Sequence, residues 1–194
     1  MRKLIGSLLS LWILLLLAQN AAANCGAGTV IYFKFKSEIY LLLADHTWSH
    51  QRDRTWSGFG GFCDGDPIDV AAARETEEET KGFYRRDEIF ARLVSSPKIR
   101  VGDFTTFFVE VDYVPAIVIN NHKSSVRTAG YFERGPYAWI PFSVIWQAIA
   151  ERRTGRVQIP QKYLPPDKRS NRLFEPFVTS LLAAKSAGIL PWEQ

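Results

Sequence analysis

Cysteine is nearly absent from this sequence, with Cys25 and Cys63 the only two among 194 residues. Two thiols are too few for a disulfide framework or a zinc ribbon. Histidine is almost as scarce, and His46, His50 and His122 show no metal-ligand spacing. The sequence has no internal repeat and no low-complexity tract, which excludes solenoid and fibrous architectures. Its net charge is weak at +4, so it does not read as a dedicated nucleic-acid binder, which would carry a strongly basic domain. Charged residues at 23% and hydrophobic residues at 46% exclude a disordered chain. What is present is ordinary globular material, rich in phenylalanine, and about one domain long.

The two ends of the sequence differ in character. Arg2 and Lys3 precede an uncharged apolar run over 4–18, followed by Ala21-Ala22-Ala23. The run is shorter than the roughly 20 residues that cross a bilayer. We expect residues 1–23 to be a secretory signal peptide cut after Ala23, with residues 24–194 forming a single domain; an uncleaved anchor is the alternative. No stable membrane span is expected after cleavage. Export to the periplasm or the medium would permit a Cys25–Cys63 disulfide, with two free or buried thiols as the alternative. Towards the other end, Arg152, Arg153, Arg156, Lys162, Lys168, Arg169 and Arg172 face only Glu151 and Asp167 in 151–172. A clamp for distal phosphates is one meaning of this stretch, and a solvated face is the usual one.

Local patterning predicts a mixed α/β layered domain. Segments 29–36 and 39–44 are β-branched and aromatic and read as strands. Segment 46–61 reads as loop and short strand. A helix is predicted over 66–80, with Asp66 as N-cap, Pro67 at N1, Asp69 at N3, three alanines inside it and Gly82 ending it. Further strands are predicted at 104–111 and 137–140, and a strand or loop at 114–119, where Pro115 opposes a central strand. Helices are predicted over 142–153 and 173–187, with an irregular stretch between them.

The chemistry is concentrated in Arg74-Glu75-Thr76-Glu77-Glu78-Glu79. Glu75, Glu78 and Glu79 stand at i, i+3 and i+4 and share one helical face, where like charges repel. A hard divalent cation suits such an all-oxygen cluster, and a charged solvent face is the plain alternative. Gly60 and Gly61 precede the helix in a loop whose backbone N–H groups can approach phosphate oxygens. A phosphate-friendly loop leading into a metal-friendly helix points to metal-assisted attack on a phosphate-containing substrate.

The segment resembles the Nudix box, Gly-x5-Glu-x7-Arg-Glu-U-x-Glu-Glu-x-Gly-U with U bulky and apolar. Gly60, Arg74, Glu75, Glu78 and Glu79 match it, with Asp66 in place of the first Glu. Trp56-Ser57-Gly58-Phe59-Gly60-Gly61 resembles the family's Trp-x-x-Pro-Gly-Gly approach, which would put Gly61 at the box glycine. Glu133 followed by Trp139-Ile140-Pro141 resembles its downstream acid and strand, so the resemblance spans 29–150. It departs at Thr76, an apolar position in the family, and at Lys81, where Gly is usual and the helix exit is expected to be one residue longer.

The resemblance implies an α/β/α sandwich with a mixed β-sheet and a small-molecule phosphoanhydride substrate. It implies Glu75, Glu78 and Glu79 as ligands of Mg²⁺ or Mn²⁺, with Arg74 orienting a glutamate. Glu133 is a candidate general base or further ligand, with Glu110 and Asp112 as rivals. Gly60 and Gly61 are candidates to contact the substrate, and Trp48 to stack on a base ahead of Tyr131, Phe132 and Tyr137. Trp56 and Trp139 read as core. The implied reaction is hydrolysis of a nucleoside diphosphate linked to another moiety. The alternatives are a catalytically inactive nucleotide- or partner-binding module of the same fold and a Ca²⁺-binding structural protein. Exchange of Glu78 or Glu79 for Gln is expected to relieve repulsion and leave metal-free stability unchanged or slightly raised.

Overall fold

The alternation of apolar residues along the strands sorts them into two separate cores. In the computed structural model, which describes residues 25–46, 55–152, 155–166 and 170–193, β1 (Gly26–Phe35) and β2 (Glu38–His46) form an antiparallel pair. Val30, Tyr32, Leu41 and Leu43 face one side, and Ile31, Leu42 and Ala44 the other. β6 (Phe104–Glu110) lies parallel to β1 on its other edge, with β5 (Lys98–Val101) beyond it. β4 (Phe59–Phe62) pairs the start of β1, while β3 (Trp56–Ser57) and β7 (Arg134–Pro141) pair β2. The sheet is therefore mixed.

Helices cover both faces. Ala71, Ala72 and Ala73 of α1 (Ile68–Glu79) pack on Ile31, Leu42 and Phe107, together with Ile89 and Leu93 of α2 (Arg86–Leu93) and Ile119 of α3 (Ala116–Asn121). Ile145 of α4 (Phe142–Ala150) and Val178 and Leu181 of α5 (Glu175–Ser186) pack on Val30, Leu41 and Phe108. This is an α/β/α sandwich. Among the described residues no helix is long and apolar enough to cross a membrane. The apolar run read as a signal peptide lies outside them.

Several local expectations change. Asp66 is not the N-cap of α1: Pro67 occupies that place without a side-chain cap, and the helix starts at Ile68. Asp66 instead turns its carboxylate to Arg74, 3.3 Å from Nε. Of segment 114–119, Val114 and Pro115 are loop and 116–119 are helical instead of strand; Pro115 precedes α3, where its missing N–H is harmless. α2, β5 and α3 are elements that the periodicity did not indicate.

The exit of α1 is not lengthened. Lys81 N–H donates to Glu78 O at 2.9 Å and Gly82 N–H to Glu77 O at 2.7 Å, a Schellman closure. Lys81 itself takes the left-handed position with φ 60°. That conformation costs a side-chain-bearing residue roughly 1–2 kcal/mol, partly offset by its ammonium over the Tyr137 ring at 5.8 Å. Lys81→Gly is therefore expected to raise stability by about 0.5–1 kcal/mol, read as the shift in denaturant midpoint.

Cys25 and Cys63 are joined across a separation of 38 residues. The bridge ties the start of β1 to the turn that leads into α1, where Cys63 N–H also donates to Cys25 O at 2.9 Å. Closing a loop of this length is worth about 2–4 kcal/mol. Melting curves with and without reductant should differ by that amount; coincident curves would show that the bridge constrains nothing.

Candidate active site

Two glycines clear the space in which the glutamates of α1 stand. A Cβ at Gly61 would lie 2.6 Å from the Glu75 carboxyl carbon, and one at Gly130 would lie 2.9 Å from Glu78 Oε2. Glu75 and Glu78 are both half-buried and share one guanidinium. Arg74 Nη1 donates to Glu75 Oε1 at 2.7 Å and to Glu78 Oε2 at 3.4 Å. Its Nη2 donates to Phe62 O at 2.8 Å and to Asp64 Oδ2 at 3.3 Å. Arg74 thus orients two glutamates and clamps the turn between β4 and α1. Burial pushes the Glu75 carboxyl up to about 7; Arg74 opposes the rise, and the charges of Glu79 and Glu78 add to it.

Glu79 has a different setting. Its side chain and that of Arg134 are only 5% and 4% exposed, and Arg134 Nε donates to Glu79 Oε1 at 2.7 Å. Gly60 N–H donates to the other oxygen at 2.7 Å. Burial raises the Glu79 carboxyl, against the pull of Arg134 and the Gly60 N–H. Arg134 Nη2 also donates to Ser57 Oγ and Gly58 O, each at 2.9 Å. This network joins the end of α1, the glycine strand β4 and the start of β7. It overturns the expectation that Glu79→Gln leaves stability unchanged, because the swap would leave the buried Arg134 charge without its counter-ion.

Thr76 fits its interior place by satisfying its hydroxyl. The hydroxyl donates to Ala72 O at 2.6 Å and stands 2.8 Å from Thr29 Oγ1. Glu133 lines the same cleft as Glu75, Glu78 and Glu79. Its rivals Glu110 and Asp112 do not; Glu110 is held by Tyr32 and Lys34, each at 3.1 Å. Trp56 is buried, with Nε1 donating to Ser170 O at 2.8 Å, and Trp139 packs against the core. Tyr137 is buried, its hydroxyl donating to Glu79 O at 2.6 Å, so it offers no stacking face. Trp48 and His50 lie outside the described residues. Arg152, Arg156, Lys162 and Arg172 of the basic stretch are not among the residues lining the cleft.

The cleft holds about 1090 Å³. Sequence reasoning missed three of its features: Arg134, the phenylalanines Phe62, Phe104, Phe174 and Phe177, and His46, whose ring burial and the nearby Arg134 charge pull down to about 3. A buried Glu79 needs a counter-ion, and that need was the only signal for Arg134.

Several solved structures are similar to this chain, two of them as follows. One is a C. elegans Ap4A hydrolase binary complex, 19% identical with a TM-score of 0.39, the match covering 61% of this chain and 80% of that one. The other is RenU, a Nudix hydrolase from M. smegmatis, 14% identical with a TM-score of 0.41, covering 85% of this chain and 86% of that one. No protein-family model and no curated protein matches the sequence.

Among the described residues no three His, Cys, Asp or Glu side chains are gathered as a ready metal cluster. The donor chemistry nevertheless fits a hard divalent cation at Glu75 and Glu78. Both offer carboxylate oxygen, both have cleared space beside a glycine, and both are already arranged about one positive nitrogen. Glu79 stands behind them with both oxygens committed to protein donors.

Proposed function

We propose that this protein is an exported, metal-dependent hydrolase of phosphoanhydride bonds. The observation that carries the proposal is the Arg74–Glu75–Glu78 constellation, seated against Gly61 and Gly130 at the wall of a ligand-sized cleft. Glu75 and Glu78 would hold Mg²⁺ or Mn²⁺, with Glu79 supporting them. When bound, such a cation neutralises developing phosphate charge and lowers the pKa of water. Arg74 fixes the two glutamates in one orientation. Arg134 and the Gly60 N–H hold Glu79, and through it the spacing between α1 and β4. Glu133 stands at the cleft, where it would accept a proton from attacking water. The Nudix resemblance of the sequence supports this assignment and implies nucleoside diphosphate derivatives as substrates.

Export is supported by the positively charged, apolar N-terminal segment and by the Cys25–Cys63 bridge, since disulfides persist in oxidising compartments. Intact mass of protein recovered outside the cytoplasm should match a chain starting at Asn24. For activity, the purified protein is to be screened against nucleotide sugars, dinucleoside polyphosphates, ADP-ribose, NADH and nucleoside triphosphates with Mg²⁺ or Mn²⁺. Cleavage that stops on chelation is the expected result. Absence of cleavage across phosphoanhydrides of every class would sink the proposal.

A further inference from the structure

Beyond the glutamates, the wall of the cleft is aromatic. Phe62 at the end of β4, Phe104 at the start of β6, and Phe174 and Phe177 at the start of α5 all line it. Phe62, Phe104 and Phe174 are 71%, 36% and 40% exposed, although each is a large apolar side chain. An exposed apolar patch within a cleft is the usual signature of a binding surface.

Phe104 is built into place. A Cβ at Gly26 would lie 2.5 Å from its Cδ2, and Cβ atoms at Gly60 and Gly28 would lie 2.9 and 3.0 Å from its Cζ. Three glycines on two strands are thus cleared around one ring, which is held against backbone while part of it remains open. The hydroxyls nearby are already committed within the protein: Thr106 donates to Ser180 at 3.1 Å, and Thr179 to Glu175 O at 3.0 Å. Asp64, Asp103 and Glu175 also line the cleft, each paired with an arginine: Arg74 at 3.3 Å, Arg100 at 3.7 Å and Arg152 at 2.9 Å. With its rings exposed and its hydroxyls and carboxylates already partnered, this part of the cleft suits an uncharged hydrocarbon group.

We infer that the cleft takes the diphosphate ester of an apolar alcohol, of the prenyl diphosphate class. Its diphosphate lies towards Glu75 and Glu78, and its hydrocarbon lies across Phe104, Phe62 and Phe174. The inference rests on the hydrolase reading of the same site, and it replaces the nucleoside moiety that the sequence resemblance implies with a hydrocarbon. In the reaction a water oxygen bonds to the terminal phosphorus and the bond from that phosphorus to the bridging oxygen breaks. The bridging oxygen stays on the ester as its monophosphate, orthophosphate leaves, and one proton passes to solvent.

The test measures binding and turnover separately. Purified protein in Mg²⁺ is titrated calorimetrically with geranyl diphosphate, inorganic pyrophosphate and ADP-ribose. Geranyl diphosphate is expected to bind at least about tenfold more tightly than pyrophosphate, the difference coming from buried apolar surface. Phe104→Ala and Phe62→Ala are each expected to weaken geranyl diphosphate about fivefold or more and leave pyrophosphate unchanged. Phe62 is exposed enough that its variant reads binding even if Phe104→Ala fails to fold. Equal affinity for the two diphosphates, tighter binding of ADP-ribose, or indifference of geranyl diphosphate to the Phe62 change would overturn the inference. Preferential binding of geranyl diphosphate without cleavage of any phosphoanhydride would keep the inference and remove the hydrolase reading. Cleavage of ADP-ribose without that preference would do the reverse.

Discussion

Arg134→Met is expected to lower stability by about 3–5 kcal/mol, the range for removing one partner of a buried ion pair. Arg134 meets Glu79 Oε1 at 2.7 Å, with both side chains 5% exposed or less. Without the guanidinium the Glu79 carboxylate stays buried, with the Gly60 N–H as its remaining donor. Ser57 Oγ and Gly58 O lose the Nη2 donor at the same time. In a domain of this size each kcal/mol moves Tm by roughly 2–4 °C, so thermal melts should fall by roughly 6–20 °C. Glu79→Gln is expected to destabilise for the mirror-image reason. The double variant Arg134→Met/Glu79→Leu should recover most of the loss, because an apolar pair of similar volume needs no compensation. The coupling energy of the complete cycle then measures the pair itself. A single variant melting within about 2 °C of wild type would show that the pair contributes nothing.

Glu78→Gln is expected to separate catalysis from stability. Glu78 is half-buried, its only ion pair among the described residues is the long 3.4 Å contact with Arg74, and it stands in cleared space beside Gly130. The swap keeps shape and removes one negative charge from a crowded face, so metal-free stability should stay within about 0.5 kcal/mol of wild type. If Glu78 holds a cation, the neutral amide oxygen replaces it poorly. Loss of about 2.7 kcal/mol of transition-state stabilisation is a hundredfold fall in kcat, measured on whichever phosphoanhydride the protein cleaves. Mg²⁺ should raise the Tm of wild type more than that of the variant, since a ligand of the folded state stabilises it. Turnover near wild type would refute the metal role of this glutamate.

The elements legible in the sequence were those whose own residues specify them. β-Branched and aromatic composition identified β1 and β2, the alternating pattern of 104–111 identified β6, and the alanine run with its following glutamates identified α1. α2 and α3 escaped because each is short, eight and six residues. So few residues carry little periodicity, and their helicity depends on packing Ile89, Leu93 and Ile119 against the sheet. The capping assignment failed for a related reason. Asp66 has the right chemistry for an N-cap, but Arg74 competes for its carboxylate from one face of the finished helix. Lys81 shows the same override: the Schellman hydrogen bonds and the Tyr137 ring hold it in a conformation that its own preference opposes.

Sequence alone determined that three glutamates share one face of α1, because helical periodicity acts over three or four residues. It also determined that a glycine strand precedes that helix. Only the tertiary structure divided the three glutamates, turning Glu75 and Glu78 to the cleft with Arg74 and sealing Glu79 against Arg134. The Arg134–Glu79 contact joins residues 55 positions apart, and the seat of Phe104 is made by glycines of two other strands. Such pairings depend on how the sheet brings distant strands together, and no local preference of either residue encodes them.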